Sequence, residues 1–215
     1  MFNLLKDIYS TMICEMPYII DGDHYHDMEY ESLFISDAAI KRTFAPLSLK
    51  ISSIRFFKHT EINQVIGVIR EKKETGEASN KIVFDLSFKR HITLKAVPKE
   101  LKADTLMQVS SVCTDKAYRN RSIATQVYKM LVDDGCVVLS DCDQFIPGKQ
   151  LWERLAKDAR HYGLAVNIIN VHGNFMRDEN NAIVYFDGSN IPHVKIWSNF
   201  IHDERDKILL VLRKL

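Results

Sequence analysis

Near the start of the chain, apolar residues recur at Leu4, Leu5, Ile8, Met12 and Ile13. That spacing predicts a short amphipathic helix within 1–16. The segment Asp21-Gly22-Asp23-His24-Tyr25-His26-Asp27 is polar and acidic and predicts a loop. Residues 1–30 therefore read as a helix-and-loop extension. Three runs rich in Ile, Val and Phe follow at 48–57, 64–70 and 81–94, and their partial alternation predicts strands. The polar stretch 71–80 contains Thr75-Gly76 and reads as the hairpin turn between the second and third runs. The first half is expected to be mostly antiparallel sheet.

The period changes near residue 106. A strand is predicted over 106–114, then a helix over 122–134 with Ile123, Val127, Met130 and Leu131 on one face and Gly135 as its stop. Cys136-Val137-Val138-Leu139 is a continuous apolar run, as in a strand covered on both faces. Pro147 can open the next helix, which carries Leu151, Trp152, Leu155, Ala156 and Ala159 on one face, with Lys149/Glu153 and Glu153/Lys157 as surface pairs. Gly163 ends it, and 165–171 is a further strand. The segment 106–171 thus reads strand–helix–strand–helix–strand, a βαβαβ unit with parallel pairing and right-handed crossovers. Antiparallel strands are expected to continue it at 182–187, 194–197 and 208–212; the last could instead be a helix capped by Asp203. The fold class is α/β, a mixed central sheet in one domain spanning 1–215.

Composition changes this picture little. With 215 residues, 46% hydrophobic and 27% charged, the chain can bury a full core without disulfides or metal. A formal net charge of +1 gives no global attraction to nucleic acid or anionic membrane, so no specific nucleic-acid partner is expected. No apolar run is long enough to span a bilayer, and the start lacks the pattern of a secretory leader, so no membrane association is expected. Cys14, Cys113, Cys136 and Cys142 are scattered and read as reduced thiols, which makes the cytoplasm the expected location. Monomer and homodimer are not distinguished.

The candidate chemistry lies at Val112-Cys113-Thr114-Asp115-Lys116-Ala117-Tyr118-Arg119-Asn120-Arg121-Ser122-Ile123-Ala124. A strand ends there, a polar turn follows and a helix begins. Unpaired helix N–H groups and the helix dipole favour a phosphate at such a turn. Arg119 and Arg121 add charge, and Ser122 and Ala124 are small enough for close approach to the main chain. The bland alternative is an ordinary strand-to-helix turn with two surface arginines.

Arg119-Asn120-Arg121-Ser122-Ile123-Ala124 resembles the acetyl-CoA signature of the GCN5-related N-acetyltransferases, Gln/Arg-x-x-Gly-x-Gly/Ala. Tyr118-Arg119, the spacing Ala124-x-x-x-Tyr128-x-x-Leu131 and Gly148-Lys149-Gln150-Leu151-Trp152-Glu153-Arg154-Leu155 are also similar to that family. The run from Leu139-Ser140-Asp141 to Leu155 is similar to a branch found in bacteriophages and their hosts. The resemblance covers 106–171, and the first half only by strand content. It implies a GNAT-like sheet and direct transfer of an acetyl group from acetyl-CoA to an amine. It further implies that 119–124 holds the pyrophosphate. Backbone groups near Val112 and Thr114 would bind the pantetheine between two splayed strands and polarise the carbonyl. The acceptor amine, protein or small molecule, is not identified.

Three departures stand out. Ser122 replaces the first signature glycine, no glutamate occupies 106–114, and Trp152 takes the place where many members have an acidic tyrosine. Indole cannot supply a proton in that way. Candidate bases are Asp141, Asp143 and His172, and candidate acids are Tyr128 and Ser140. Asp141 and Asp143 could equally be capping or surface carboxylates, His172 a satisfied strand-end residue, and Tyr128 core. Alternation on 106–114 places Met107, Val109, Ser111 and Cys113 on one face, and Gln108, Ser110, Val112 and Thr114 on the other. Cys142 has no histidine beside it and reads as a core thiol.

Asp21, Asp23, His24, His26, Asp27 and Glu29 have the chemistry to ligate a divalent metal, but a solvated loop explains them better and no metal is expected. Asp21, Asp23 or Asp27 could instead contact an amine. Departures at Ser122 and Trp152 keep two rivals to the enzyme in view. One is a phage-type protein that keeps the fold without turnover and acts by binding protein, as a host-takeover factor or virion component. The other is an acyl-CoA sensor.

Overall fold

In the computed structural model, the described residues are 19–20, 34–72, 76, 78–141, 144–192, 196–197 and 208–215. The helix expected within 1–16 and the acidic loop at 21–29 lie outside them.

The alternating runs of the first half pair into an antiparallel meander. Its strands are β3 (Phe44–Ile51), β4 (Ile54–His59), β5 (Gln64–Lys72), β6 (Ala78–Phe88) and β7 (Leu106–Thr114). The run read as one strand over 48–57 is two strands, because the chain turns at 52–53 with Ser52 at φ +52°. Strand β6 starts before the expected 81 and stops at Phe88; 89–94 is not strand. Two short strands, β1 (Ile19–Ile20) and β2 (Phe34–Ile35), pair with β9 (Gln144–Phe145) and β6 respectively. Helix α1 (Asp37–Thr43) was not predicted, although its signals are present. Ser36 caps it by accepting from the Ala39 N–H at 3.1 Å, Asp37 lies in the first turn, and Lys41 and Arg42 lie in the last.

After β7 come α2 (Ile123–Asp133), β8 (Val137–Leu139), α3 (Ile146–Ala159) and β10 (Leu164–Asn170), close to the expected boundaries. The only parallel pair of the main sheet among the described residues is β7–β8. β8 and β10 are not neighbours. The C-terminal strand β11 (Ile208–Lys214) is inserted between them, antiparallel to both. The sheet order is β10-β11-β8-β7-β6-β5-β4-β3. Residues 182–187 do not form a strand and contribute isolated bridges, Asn167↔Tyr185 and Arg177↔Ile183. Of 194–197, only Ile196 and Trp197 are described; they are buried outside any strand.

The sheet separates two layers. On one face α2 and α3 bury Ile123, Val127, Tyr128, Leu131, Trp152 and Leu155 against Phe84, Leu86, Val109, Val138 and Leu210. On the other, α1 covers Ile66 and Val68 through Ile40. The irregular segment 89–105 covers Leu139, Leu209 and Val211 through Leu94 and Leu101. This burial is the main favourable term holding the layers together.

Candidate functional site

Strands β7 and β8 pair at Leu106↔Val137, Met107↔Val138 and Gln108↔Leu139, and there the pairing ends. Two local devices separate them. The first is a bulge: Ser87 pairs Ser111 while Phe88 pairs Val109, leaving Ser110 extra. The second is a side-chain bridge. Gln108 is fully buried; its Oε1 accepts from the Thr93 N–H at 2.6 Å and its Nε2 donates to the Ser140 carbonyl at 3.2 Å. Ser140 is meanwhile held by β11, donating its N–H to Leu210 O at 2.8 Å and accepting the Leu210 N–H on Oγ at 3.0 Å. The end of β8 follows β11 and leaves β7.

Residues 109–114 of β7 therefore have no strand neighbour on that edge among the described residues. The Asp115 N–H donates to Val83 O at 2.9 Å across the β6 side. Pleat alternation then turns the peptide groups of 111 and 113 toward β6 and those of Val112 and Thr114 toward the open edge. The bulge also corrects the predicted faces. Met107, Val109 and Val112 lie with the helix-side core. Ser111 and Cys113 pair with Ser87 and Asp85, which alternate with the core residues Phe84, Leu86 and Phe88, and so lie on the opposite face.

The turn after β7 brings the remaining predicted residues together. Asp115 caps a 3-10 turn (Lys116–Tyr118) by accepting from the Ala117 N–H at 2.9 Å. Asn120 and Ser122 both adopt the left-handed region, at φ +62° and +54°. Ser122 occupies the N-cap position of α2 but makes no side-chain cap bond. The signature position that favours glycine is thus left-handed here, and a serine bears the cost. Arg119, Asn120, Arg121 and Ser122 are exposed, whereas Ile123 anchors the helix in the core and Ala124 packs beside it. Arg119 Nε donates to the Thr114 carbonyl at 3.2 Å; Arg121 donates to the Ala117 carbonyl at 3.4 Å and lies 4.8 Å over the Tyr118 ring. Two guanidinium groups, a left-handed turn and the head of a helix follow one another within 119–123, after a strand edge that is open among the described residues. Such an arrangement has the chemistry to accept an anion.

The catalytic candidates separate. Asp141 follows β8 and pairs with Lys89 at 2.8 Å, both side chains 17% exposed. Ser140 is buried with its hydroxyl held by β11. Asp143 lies outside the described residues. His172 is exposed, with its N–H donating to Asn170 Oδ1 at 3.1 Å in the turn after β10. Tyr128 and Trp152 are fully buried, ring centroids 5.8 Å apart. Burial, and then the nearby Asp141 charge, push the Tyr128 hydroxyl far above the ordinary phenol range. Sequence reasoning missed Lys89, Gln108 and Asp85. Asp85 is partly buried on β6, accepts from Gln64 Nε2 on both carboxylate oxygens at 3.0 Å and from Ser87 Oγ at 3.4 Å. Burial raises its pKa against those two hydrogen bonds. Its visible signal was an acid inside Val83-Phe84-Asp85-Leu86.

Among the described residues no cluster of three or more His, Cys, Asp or Glu could hold a metal ion, and no helix is long and apolar enough to cross a membrane. No protein-family profile, curated protein or solved structure matches the chain.

Proposed function

We propose that the chain is an N-acyltransferase of the GCN5-related type, transferring an acetyl group from acetyl-CoA to an amine by direct attack. One observation carries the reading: the left-handed turn at Asn120 and Ser122 heads α2 shortly after a strand whose edge stands open among the described residues. An open edge and an anion-accepting helix head in sequence match a ligand with an extended amide-containing arm and a pyrophosphate. On this reading the outward peptide groups of Val112 and Thr114 bind the arm. The turn 119–124 and its two arginines bind the phosphates. Fixed N–H dipoles at the open edge would also stabilise charge developing on the thioester oxygen. The insertion of β11 between β8 and β10 supports the same reading, because it turns the end of β8 away from β7.

A second reading has its own support. Trp152 and Tyr128 are both locked in the core, so neither presents an acid for a leaving thiolate. A protein of this fold that binds acyl-CoA or protein without turnover is compatible with that. Calorimetry with acetyl-CoA tests the first reading. Micromolar binding by the native chain, lost in the Arg119→Glu/Arg121→Glu double variant, is expected. A folded native chain that does not bind refutes it and leaves the protein-binding reading.

A further inference from the structure

Three carboxylates on or beside β6, β7 and β8 are partly buried, and they are treated differently. Asp115 has Lys81 at 3.2 Å and Asp141 has Lys89 at 2.8 Å. Asp85 has only the neutral donors Gln64 and Ser87, and no lysine, arginine or histidine among the described residues pairs with it. Buried carboxylates are ordinarily paired. Asp85 also occupies a particular lane. It lies on the face away from α2 and α3, between the apolar patch under α1 (Ile40, Ile66, Val68) and the patch under 89–105 (Leu94, Leu101, Leu139). Its polar neighbours in the lane are Gln64, Ser87, Ser111 and Cys113, with Cys113 directly across on β7 and the apolar Ile66 directly across on β5. The peptide groups of Val112 and Thr114, adjoining Cys113, face the open edge. The lane and the edge therefore share one strand.

We propose that this lane receives a primary ammonium group, with Asp85 as its counter-ion and proton acceptor. The inference rests on the acyltransferase reading and names the acceptor class for that site: a primary amine of the lysine side-chain type. Gln64 and Ser87 use part of the carboxylate's acceptor capacity and leave lone pairs for an N–H donor. The groups that face Asp85 from β5, β6 and β7 are the apolar Ile66 and the polar Gln64, Ser87, Ser111 and Cys113, and the only other titratable one among them is the Cys113 thiol. Burial and then the Asp85 charge push that thiol up against the opposing Arg119 charge, so it does not compete as a base. In the reaction the ammonium gives one proton to the Asp85 carboxylate. The freed nitrogen lone pair forms the C–N bond to the acetyl carbon. The C–S bond breaks with its electron pair remaining on sulfur. The second proton of the attacking nitrogen passes to the thiolate, and Asp85 returns its own to water.

Side-chain carboxyl and amide NMR on the full chain tests the proposal with n-butylamine as the probe. Saturable shifts of the Asp85 carboxyl and Gln64 amide signals are expected, absent with tetramethylammonium, which has no N–H. Asp85→Asn should abolish the Gln64 response while leaving calorimetric acetyl-CoA binding unchanged. With an acetylated amine in hand, Asp85→Asn should lower kcat/KM by about 10²-fold or more and remove the acidic limb of its pH profile. Unmoved Asp85 and Gln64 signals, or equal shifts with tetramethylammonium, overturn the amine site. An unchanged pH profile overturns the proton acceptor. Failure of the native chain to bind acetyl-CoA strikes the acyltransferase reading instead, and the NMR result stands apart from it.

Discussion

Ser122 sits at φ +54° and ψ +27° with no cap bond from its hydroxyl, which separates two effects that usually travel together at a helix start. If the side chain does not cap, removing it costs little; if the backbone is strained, removing Cβ helps. The left-handed region costs an L-residue roughly 1–2 kcal/mol, while glycine adds roughly 0.5–1 kcal/mol of unfolded-state entropy. Ser122→Gly should therefore stabilise the fold by about 0.5–1 kcal/mol, a rise of about 1–4 °C in Tm for a domain of this size. Ser122→Ala keeps the strain and loses only an exposed hydroxyl, so it should stay within about 0.5 kcal/mol of native. Ser122→Val adds a branched Cβ in the left-handed region and should be the worst of the series. Urea unfolding followed by tryptophan fluorescence is the assay, since Trp152 and Trp197 are 1% and 3% exposed and report on the core. Loss of about 1 kcal/mol or more in Ser122→Ala, the usual penalty for deleting a cap, together with no gain in Ser122→Gly, would falsify the argument.

Two further outcomes are expected. Gln108→Leu removes the bonds to the Thr93 N–H and the Ser140 carbonyl and should cost roughly 2–4 kcal/mol, read as a fall of about 5–15 °C in the melting curve. A melt within 2 °C of native (about 0.5–1 kcal/mol) would show that the bridge does not hold the splay. Asp85 has a folded-state pKa raised by burial, so its charged form is penalised in the fold at neutral pH. That penalty fades as pH falls through the raised folded value and is gone below the unfolded value. Asp85→Asn should thus stabilise the protein at pH 7, with the advantage shrinking as pH falls into the carboxylate range; an advantage that grows on acidification contradicts the sign.

How far the sequence reveals this fold depends on the range of the interaction involved. The helices α2 and α3 were legible because their apolar spacing and terminal glycines act within a few residues. The strand-to-helix turn at 115–122 was legible for the same reason, and one of its left-handed residues falls at Ser122. Helix α1 was equally local, with Ser36 as cap, but at seven residues it is too short to show a period. The bulge at Ser110 could not be read, since a one-residue insertion in a strand looks like continued alternation; it reversed the face of Ser111 and Cys113 relative to Met107 and Val109. The insertion of β11 is decided by pairing between Leu212 and Val138 and between Val166 and Leu212, contacts far apart in the chain. Alternation places Asp85 opposite Phe84 and Leu86, on the face that a half-exposed strand turns to solvent. Only the neighbouring strands and the segments flanking the lane make it buried.

Locally unfavourable features are not spread evenly through this protein. Among the described residues, four other than glycine adopt positive φ: Ser52, Asn120, Ser122 and Asn181. Two have an ordinary reason. Ser52 turns the β3–β4 hairpin, and Asn181 turns a loop held by Asp178, which accepts the Ala182 N–H at 2.8 Å. Asn120 and Ser122 close no hairpin; they alternate within three residues immediately before a helix, which one glycine or a capping serine would have started at lower cost. Among the described residues, the bulged Ser110, the strand edge left open over 109–114 and the carboxylate without a cation at Asp85 border the same stretch of β7. Each is individually tolerable, at a cost of the order of 1–3 kcal/mol for backbone strain of this kind. The β3–β6 meander has register shifts of its own at Pro46/Lys50 and Gly67/Val68, so it is the meeting of these features at one strand edge, and not their occurrence, that sets β7 apart. Conflict between local preference and global fold is expected where a ligand supplies the missing partners. The corner of β7 and α2 is where an anion, an extended arm and an ammonium would each relieve one of these deficits.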